Sequence, residues 1–120
     1  MKKFIRDRLK GGWYAIKGAY LLLRYEHSIQ AQFFIGLCVC LLGWFVGISR
    51  TEWMMQLFAI GLVMGLEGAN SAIEEIADFI HPDFHEKIGK IKDLAAGAVF
   101  IGACVAVIIG LLIYCPYINF

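Results

Sequence analysis

The sequence predicts an all-α membrane protein in which an N-terminal amphipathic surface helix precedes three transmembrane helices. The chain has 120 residues, of which 60% are hydrophobic, and only two prolines. This composition is typical of membrane proteins rather than of soluble domains. Three apolar segments reach the roughly 20 residues needed to cross a bilayer, and they are 29–48, 53–80 and 93–114. No internal repeat is visible, and we expect a single domain over 1–120.

Residues 1–25 are predicted to form a helix at the membrane surface. Large apolar side chains recur there at helical spacing, and cations fall on a separate stripe. The apolar stripe consists of Leu9, Trp13, Ile16, Tyr20 and Leu23, and the cationic stripe of Lys10, Lys17 and Arg24. A helix of this kind lies between the headgroups and the acyl chains. The alternative is a basic anchor that takes no part in chemistry.

The cations are distributed unevenly along the chain, although the net charge is only +1. Most of them precede the first span, several lysines follow the second, and the connection 49–52 carries only Arg50. The positive-inside rule therefore places the N-terminus and the predicted loop 81–92 in the cytoplasm. The first span follows charged residues without a cleavage-site pattern, so we do not interpret it as a signal peptide. The aromatic residues near the opposite boundary are Trp44, Trp53, Tyr114 and Tyr117.

The second span carries polar side chains that membrane helices rarely contain. They follow one another at steps of three and four residues and therefore share one helical face. They are Glu67, Asn70, Ser71, Glu74 and Asp78. Carboxylates close to hydrocarbon are costly and indicate a functional site by default. The alternative is a polar seam that holds helices together.

Two carboxylates of this row are expected at different depths. Glu67 and Glu74 are seven residues apart, which is roughly 10 Å along a helix axis. Glu74 should lie at the water boundary, where it can bind a cation. Glu67 should lie nearer the acyl chains, where a poorly hydrated carboxylate suits general-base chemistry. Asn70 lies between them and can hydrogen-bond to either.

Two further positions lie at the same cytoplasmic level. Glu26 can pair with Glu74 to hold Mg²⁺, which usually takes one or two carboxylates plus substrate phosphates. Local sequence alone favours a solvated Glu26 beside Arg24. Lys92, which opens the third span with Asp93, can face phosphate oxygens as a point charge. It can equally extend its ammonium group to the membrane edge.

Other motifs carry weaker signals. Pro82 interrupts the segment between His81 and His85, so a zinc site is not expected. The run GKIK at 89–92 lacks the upstream glycine and the Ser or Thr of a Walker loop. The four cysteines form no CxxC pair, and we interpret them as small apolar residues. Small residues in the second and third spans indicate close helix packing.

Two motifs together carry a family resemblance. The first is ExxN(S/T)AIE, present as EGANSAIE at 67–74, and the second is KD followed by small residues, present as KDLAAGAV at 92–99. The chain resembles the prokaryotic diacylglycerol kinase and undecaprenol kinase family over nearly its whole length. The resemblance implies a homotrimeric lipid kinase of the bacterial cytoplasmic membrane, with active sites at the cytoplasmic boundary between neighbouring subunits. Such enzymes transfer the γ-phosphoryl group of Mg-ATP to a lipid hydroxyl.

The resemblance also implies roles for individual residues. Glu67 corresponds to the base that accepts the proton of the lipid hydroxyl. Glu26 and Glu74 correspond to the pair that holds the metal on the nucleotide, and Asn70 to the polar residue beside them. The positions implied to contact the nucleotide are Tyr14, Glu26, Glu74, Asp83, Phe84, His85, Lys92 and Asp93. The implied partners are ATP, a lipid alcohol, the bilayer and further copies of the chain, and no nucleic acid is expected.

The chain also departs from the family pattern. Where members often carry an arginine in the surface helix, this chain has Asp7, flanked by Arg6 and Arg8. The departures near the expected lipid position are Ser28, Gln32, Gly68 and Ala69. The substrate is expected to be undecaprenol or diacylglycerol, and the first-span region favours undecaprenol. A small cation or proton channel and a non-catalytic membrane scaffold are the alternative functions.

Overall fold

The computed structural model describes residues 1–118 as four α-helices joined by short connections. They are α1 (Lys2–Tyr25), α2 (His27–Val46), α3 (Arg50–Ile80) and α4 (Glu86–Ile118). The last three are long and apolar enough to cross a membrane. The predictions of an all-helical protein and of three membrane helices are therefore confirmed.

The helix that contains the predicted third span is longer than that span. The segment 81–92 was expected to be a loop, but α4 begins at Glu86 and continues past Tyr114 to Ile118. The first turns of α4 are charged, so they lack the apolar pattern that marks a span. Their lysines and glutamate are nevertheless good helix formers. The connection between α3 and α4 is consequently short, and it brings the ends of both helices close together.

The junction between α1 and α2 is a single residue with extended backbone, Glu26. The side-chain amide of Gln30 donates hydrogen bonds to the carbonyl oxygens of Leu23 at 3.1 Å and Arg24 at 2.9 Å. These carbonyls belong to the last turn of α1, where backbone acceptors have no partner within the helix. Gln30 thus caps α1 and holds Glu26 at the corner between the two helices.

The opposite end of the bundle contains the turn from α2 to α3. α2 ends at Val46 and is followed by Gly47, whose φ of 79° is left-handed, and glycine adopts this conformation without a steric penalty. Ser49 and Glu52 then form a reciprocal capping box, with bonds of 3.2 and 2.9 Å. The cap explains why α3 begins at Arg50, three residues before the predicted span.

The helix α3 packs against both α2 and α4. A Cβ atom at Gly102 of α4 would lie 2.7 Å from Cδ1 of Leu66, and one at Gly36 of α2 would lie 3.1 Å from Cγ2 of Ile60. These glycines therefore permit close approach of the helices, as small residues commonly do in membrane bundles. The helices α3 and α4 are antiparallel, so that late residues of α3 lie opposite early residues of α4.

A polar network joins the helices at the Gly47 end. The hydroxyl of Tyr114 donates to Oε1 of the buried Gln56, and the carbonyl oxygen of Val39 lies 3.1 Å from the same hydroxyl. The hydroxyl of Tyr117 donates to Oε1 of Glu52. The four aromatic residues predicted near the membrane boundary opposite the cytoplasm thus lie at one end of the bundle. The carboxylate row of α3 lies towards the other end.

Candidate active site

The polar row of α3 runs from the middle of the helix to its C-terminal end. Asn70 and Ser71 are buried, Glu67 is half-buried, and Glu74 and Asp78 are exposed. Among the carboxylates, the one nearest the middle of α3 is therefore less exposed than the two nearest the connection to α4.

Glu26 is brought to this row by a hydrogen bond. The Ser71 hydroxyl donates to Oε2 of Glu26 at 3.3 Å, although the two residues are 45 positions apart. Because Glu74 lies three residues beyond Ser71 on the same helical face, the carboxylate of Glu26 is held beside the face that carries Glu74. The interpretation of Glu26 as a solvated charge next to Arg24 does not account for this contact.

The helix α1 also approaches the row. A Cβ atom at Gly68 would lie 2.9 Å from Cδ1 of Leu22 in α1, so the small residue at this position allows the two helices to pass closely. Beside the contact is an open cavity of about 660 Å³, lined by small and large apolar residues of α1 together with Glu26, Ser71 and Glu75. One wall of the site is therefore built by α1.

Lys92 has a partner that sequence reasoning did not identify. Its Nζ lies 2.6 Å from Oδ1 of Asp78, across the interface between α4 and α3. Between residues 1 and 118 this is the one ion pair formed by side chains. The sequence placed Asp78 in the polar row but could not show which cation it meets, because that depends on how the two helices are aligned.

The connection between α3 and α4 is held by its two histidines. Nδ1 of His81 lies 2.6 Å from the carbonyl oxygen of Asp83, and Nδ1 of His85 accepts from the backbone N–H of Lys87 at 3.1 Å. His85 therefore caps the start of α4, and Phe84 between them is 89% exposed. Loop residues that project outward in this way are available to a ligand.

The remaining predicted nucleotide contacts are exposed. Tyr14 is 65% exposed on α1, and Asp93 is exposed on α4. No side-chain hydrogen bond links either residue to the carboxylate row within the described chain. The structure therefore brings Glu26 together with the row on α3, and Lys92 together with Asp78, but it does not join Tyr14 to them.

The carboxylates of the site meet the needs of a magnesium ion. Within residues 1–118, no three His, Cys, Asp or Glu side chains are grouped as ligands for one ion. Mg²⁺ does not require such a group, because it takes one or two carboxylates and completes its shell with phosphates and water. The oxygens of Glu26, turned towards α3, and of the exposed Glu74 fit that requirement.

Two buried side-chain oxygens have no partner among the described residues. They are Oδ1 of Asn70 and Oε1 of Gln32. A buried acceptor without a donor is destabilising by about 1–3 kcal/mol. Asn70 lies one turn from both Glu67 and Glu74. Gln32 lines an apolar cavity of about 370 Å³ between α2, α3 and α4.

Comparisons with known proteins agree with the motifs. The sequence model of the family described as prokaryotic diacylglycerol kinase matches residues 13–114. The undecaprenol kinase of Bacillus subtilis (strain 168) is 37% identical, with 97% of this chain and 91% of that protein covered. The diacylglycerol kinase of Haemophilus influenzae is 30% identical, with 80% of this chain and 81% of that protein covered. The diacylglycerol kinase of Escherichia coli (strain K12) is 29% identical, with 83% of this chain and 82% of that protein covered.

The match extends from α1 through α4, and it includes the carboxylate row and the KD dipeptide. The resemblance predicted from the two motifs is therefore confirmed, and the chain belongs to the prokaryotic diacylglycerol kinase family.

Proposed function

We propose that this lipid kinase transfers the γ-phosphoryl group of Mg-ATP to the hydroxyl of undecaprenol or diacylglycerol. The product is undecaprenyl phosphate or phosphatidic acid, respectively. One observation carries the proposal, namely the graded row of carboxylates on α3 with Glu26 tied to it through Ser71 at 3.3 Å. Phosphoryl transfer requires mainly positioning and charge neutralisation, together with a group that accepts the proton of the nucleophile.

Glu67 is proposed as the general base. Its half-buried position is the deepest of the carboxylates in the row, and a lipid hydroxyl approaches from the membrane side. The carboxylate takes the hydroxyl proton as the lipid oxygen forms its bond to the γ-phosphorus and the bond to the ADP oxygen breaks. The neighbouring Asn70, with its unpaired buried oxygen, is proposed to orient the groups at this point.

Glu26 and Glu74 are proposed to hold the metal of Mg-ATP. Both offer carboxylate oxygens, the ligand type that Mg²⁺ prefers. When bound, the ion neutralises charge on the phosphates. The hydrogen bond from Ser71 keeps Glu26 turned towards α3, which supports a shared role for the two carboxylates.

The nucleotide is proposed to lie on the exposed end of the row, beside the 81–85 connection and the start of α4. The exposure of these side chains supports that position. The residues proposed to contact ATP, besides the two metal-binding glutamates, are Tyr14, Asp83, Phe84, His85, Lys92 and Asp93.

Undecaprenol is the first candidate for the lipid. The relative named undecaprenol kinase matches more of this chain, and at higher identity, than the two diacylglycerol kinases. Both lipids present a hydroxyl at the membrane interface, so the reaction chemistry does not separate them. The choice between them depends on side chains such as Gln32 that line the apolar region.

The orientation of the protein in the membrane and its oligomeric state are part of the same proposal. α1 has no buried residue, and its apolar and cationic stripes support a position along the cytoplasmic surface of the inner membrane. Large apolar side chains such as Trp44 and Phe45 are 80% and 86% exposed, which supports burial in lipid or between subunits. We propose a homotrimer with its N-termini in the cytoplasm and with active sites completed by neighbouring subunits.

The test is transfer of labelled phosphate from ATP in mixed micelles, with undecaprenol and diacylglycerol offered separately and together. Labelled lipid in the presence of Mg²⁺ supports the proposal, and the ratio of initial rates identifies the preferred lipid. If folded protein labels neither lipid, the proposal is wrong. Cation flux through liposomes without ATP would then favour a channel, and no flux would favour a scaffold.

A further inference from the structure

We propose that Asp78 is a positioning residue for the nucleotide, because it holds the ammonium group of Lys92 where it can meet a phosphate. The inference rests on the proposed function, in which Lys92 contacts ATP. It adds a role for a carboxylate that is neither the proposed base nor a proposed metal ligand.

The side chains of Lys92 and Asp78 are in direct contact. Nζ of Lys92 and Oδ1 of Asp78 are 2.6 Å apart, and the two side chains retain 36% and 62% of their exposure. The pair is thus well formed yet open to a ligand. Lysine carries three donor hydrogens, so a single carboxylate oxygen leaves the others free for phosphate oxygens.

The alignment of α3 and α4 brings Lys92 to the end of the carboxylate row. The contact of Leu66 with Gly102 and the hydrogen bond of Gln56 with Tyr114 fix α3 against α4 along most of their length. Lys92 is consequently opposite the last turns of α3. Asp78 lies one turn beyond Glu74 on the same face, so the ammonium group is drawn towards the turn that is proposed to hold the metal.

The ion pair also restricts the side chain of Lys92 before any nucleotide binds. Exposed ion pairs contribute little to folding stability, so stability alone gives this pair a small role. A free lysine side chain samples many rotamers and must lose that freedom when it binds phosphate. If Asp78 already restricts Lys92, that loss is incurred before the ligand arrives, and binding is tighter.

The alternative role for Asp78 is competition with phosphate for Lys92. Under that role, removing the charge of Asp78 would tighten nucleotide binding. The free donors of Lys92 argue for positioning, because a phosphate can bind without displacing Asp78. The direction of the change in affinity separates these two roles.

The experiment uses Asp78→Asn, which keeps the side-chain shape and removes the charge. We expect the dissociation constant of a non-hydrolysable ATP analogue with Mg²⁺, and the KM for ATP, to rise about tenfold. The kcat at saturating ATP should change by less than about threefold. Asp78→Glu should recover much of the affinity. The matched control is Glu86→Gln, which removes a negative charge at the same end of the bundle and should leave both constants unchanged.

A double-mutant cycle with Lys92→Met then shows whether Asp78 acts through the lysine. In the Lys92→Met background, Asp78→Asn should have no further effect on affinity for the analogue. Equal weakening in both backgrounds, or an unchanged or tighter dissociation constant for Asp78→Asn alone, overturns the inference. Wild-type protein that labels lipid while Asp78→Asn binds normally refutes only this inference. Folded wild-type protein that neither binds the analogue nor labels lipid refutes the proposed function and this inference together.

Discussion

The Ser71 hydroxyl on α3 donates a hydrogen bond to the Glu26 carboxylate at the corner between α1 and α2, at 3.3 Å. This contact joins the two parts of the chain that the proposed metal site requires. It also fixes the direction in which Glu26 points, since the capping of α1 by Gln30 holds the backbone of the corner.

Replacing Ser71 by Ala should therefore weaken the use of Mg-ATP. Loss of one modest hydrogen bond frees the Glu26 side chain, and we expect the KM for Mg-ATP to rise about two- to fivefold, equivalent to ~0.5–1 kcal/mol. Steady-state kinetics at saturating lipid measure the change. The control is Thr51→Ala, which removes an exposed hydroxyl at the other end of α3. An unchanged KM in Ser71→Ala would show that Glu26 does not depend on this bond.

Glu74→Gln and Glu26→Gln should each raise the Mg²⁺ concentration that gives half-maximal activity. An amide oxygen carries no charge and binds a hard cation more weakly than a carboxylate does. We expect an increase of about tenfold or more for either variant, on the scale of a lost charge-assisted contact. Titration of Mg²⁺ at fixed ATP measures it. If both variants keep the wild-type Mg²⁺ dependence, the metal assignment is wrong.

Tyr114→Phe should lower stability without changing the chemistry. The substitution leaves Oε1 of Gln56, a residue that is only 4% exposed, without its donor. A buried acceptor left unpaired costs about 1–3 kcal/mol. Tyr117→Phe is the matched control, because its partner Glu52 is accessible to water and the loss should be smaller. Thermal unfolding in detergent compares the two, and equal midpoints would contradict this account of the network. Both variants should keep the wild-type KM for ATP.

Much of the fold could be predicted from hydropathy alone. Long apolar runs predicted three membrane helices, because a bilayer requires a minimum length of apolar helix. The bounds were less predictable where local interactions decide them. The capping box at Ser49 starts α3 early, and the charged turns from Glu86 extend α4 into the predicted loop.

The candidate site was predictable as a list of residues but not as a set of contacts. Spacing placed Ser71 and Asp78 on the face of Glu67, since the helical period is fixed. Their partners, Glu26 and Lys92, lie on other helices, and the sequence does not determine how helices align. The unpaired oxygen of Gln32 is likewise a property of packing, although the sequence already marked this residue as a departure from the family pattern.

The central claim is that Glu67 accepts the proton of the lipid hydroxyl. Its most direct test is single-site replacement by Gln, with turnover on the preferred lipid and affinity for a non-hydrolysable ATP analogue measured on the same preparation. Glu86→Gln serves as the control for loss of one carboxylate.

We predict that Glu67→Gln lowers kcat by about 100-fold or more, the range for loss of a general base, while the dissociation constant of the analogue stays within about threefold. Near-normal turnover in Glu67→Gln would contradict the assignment.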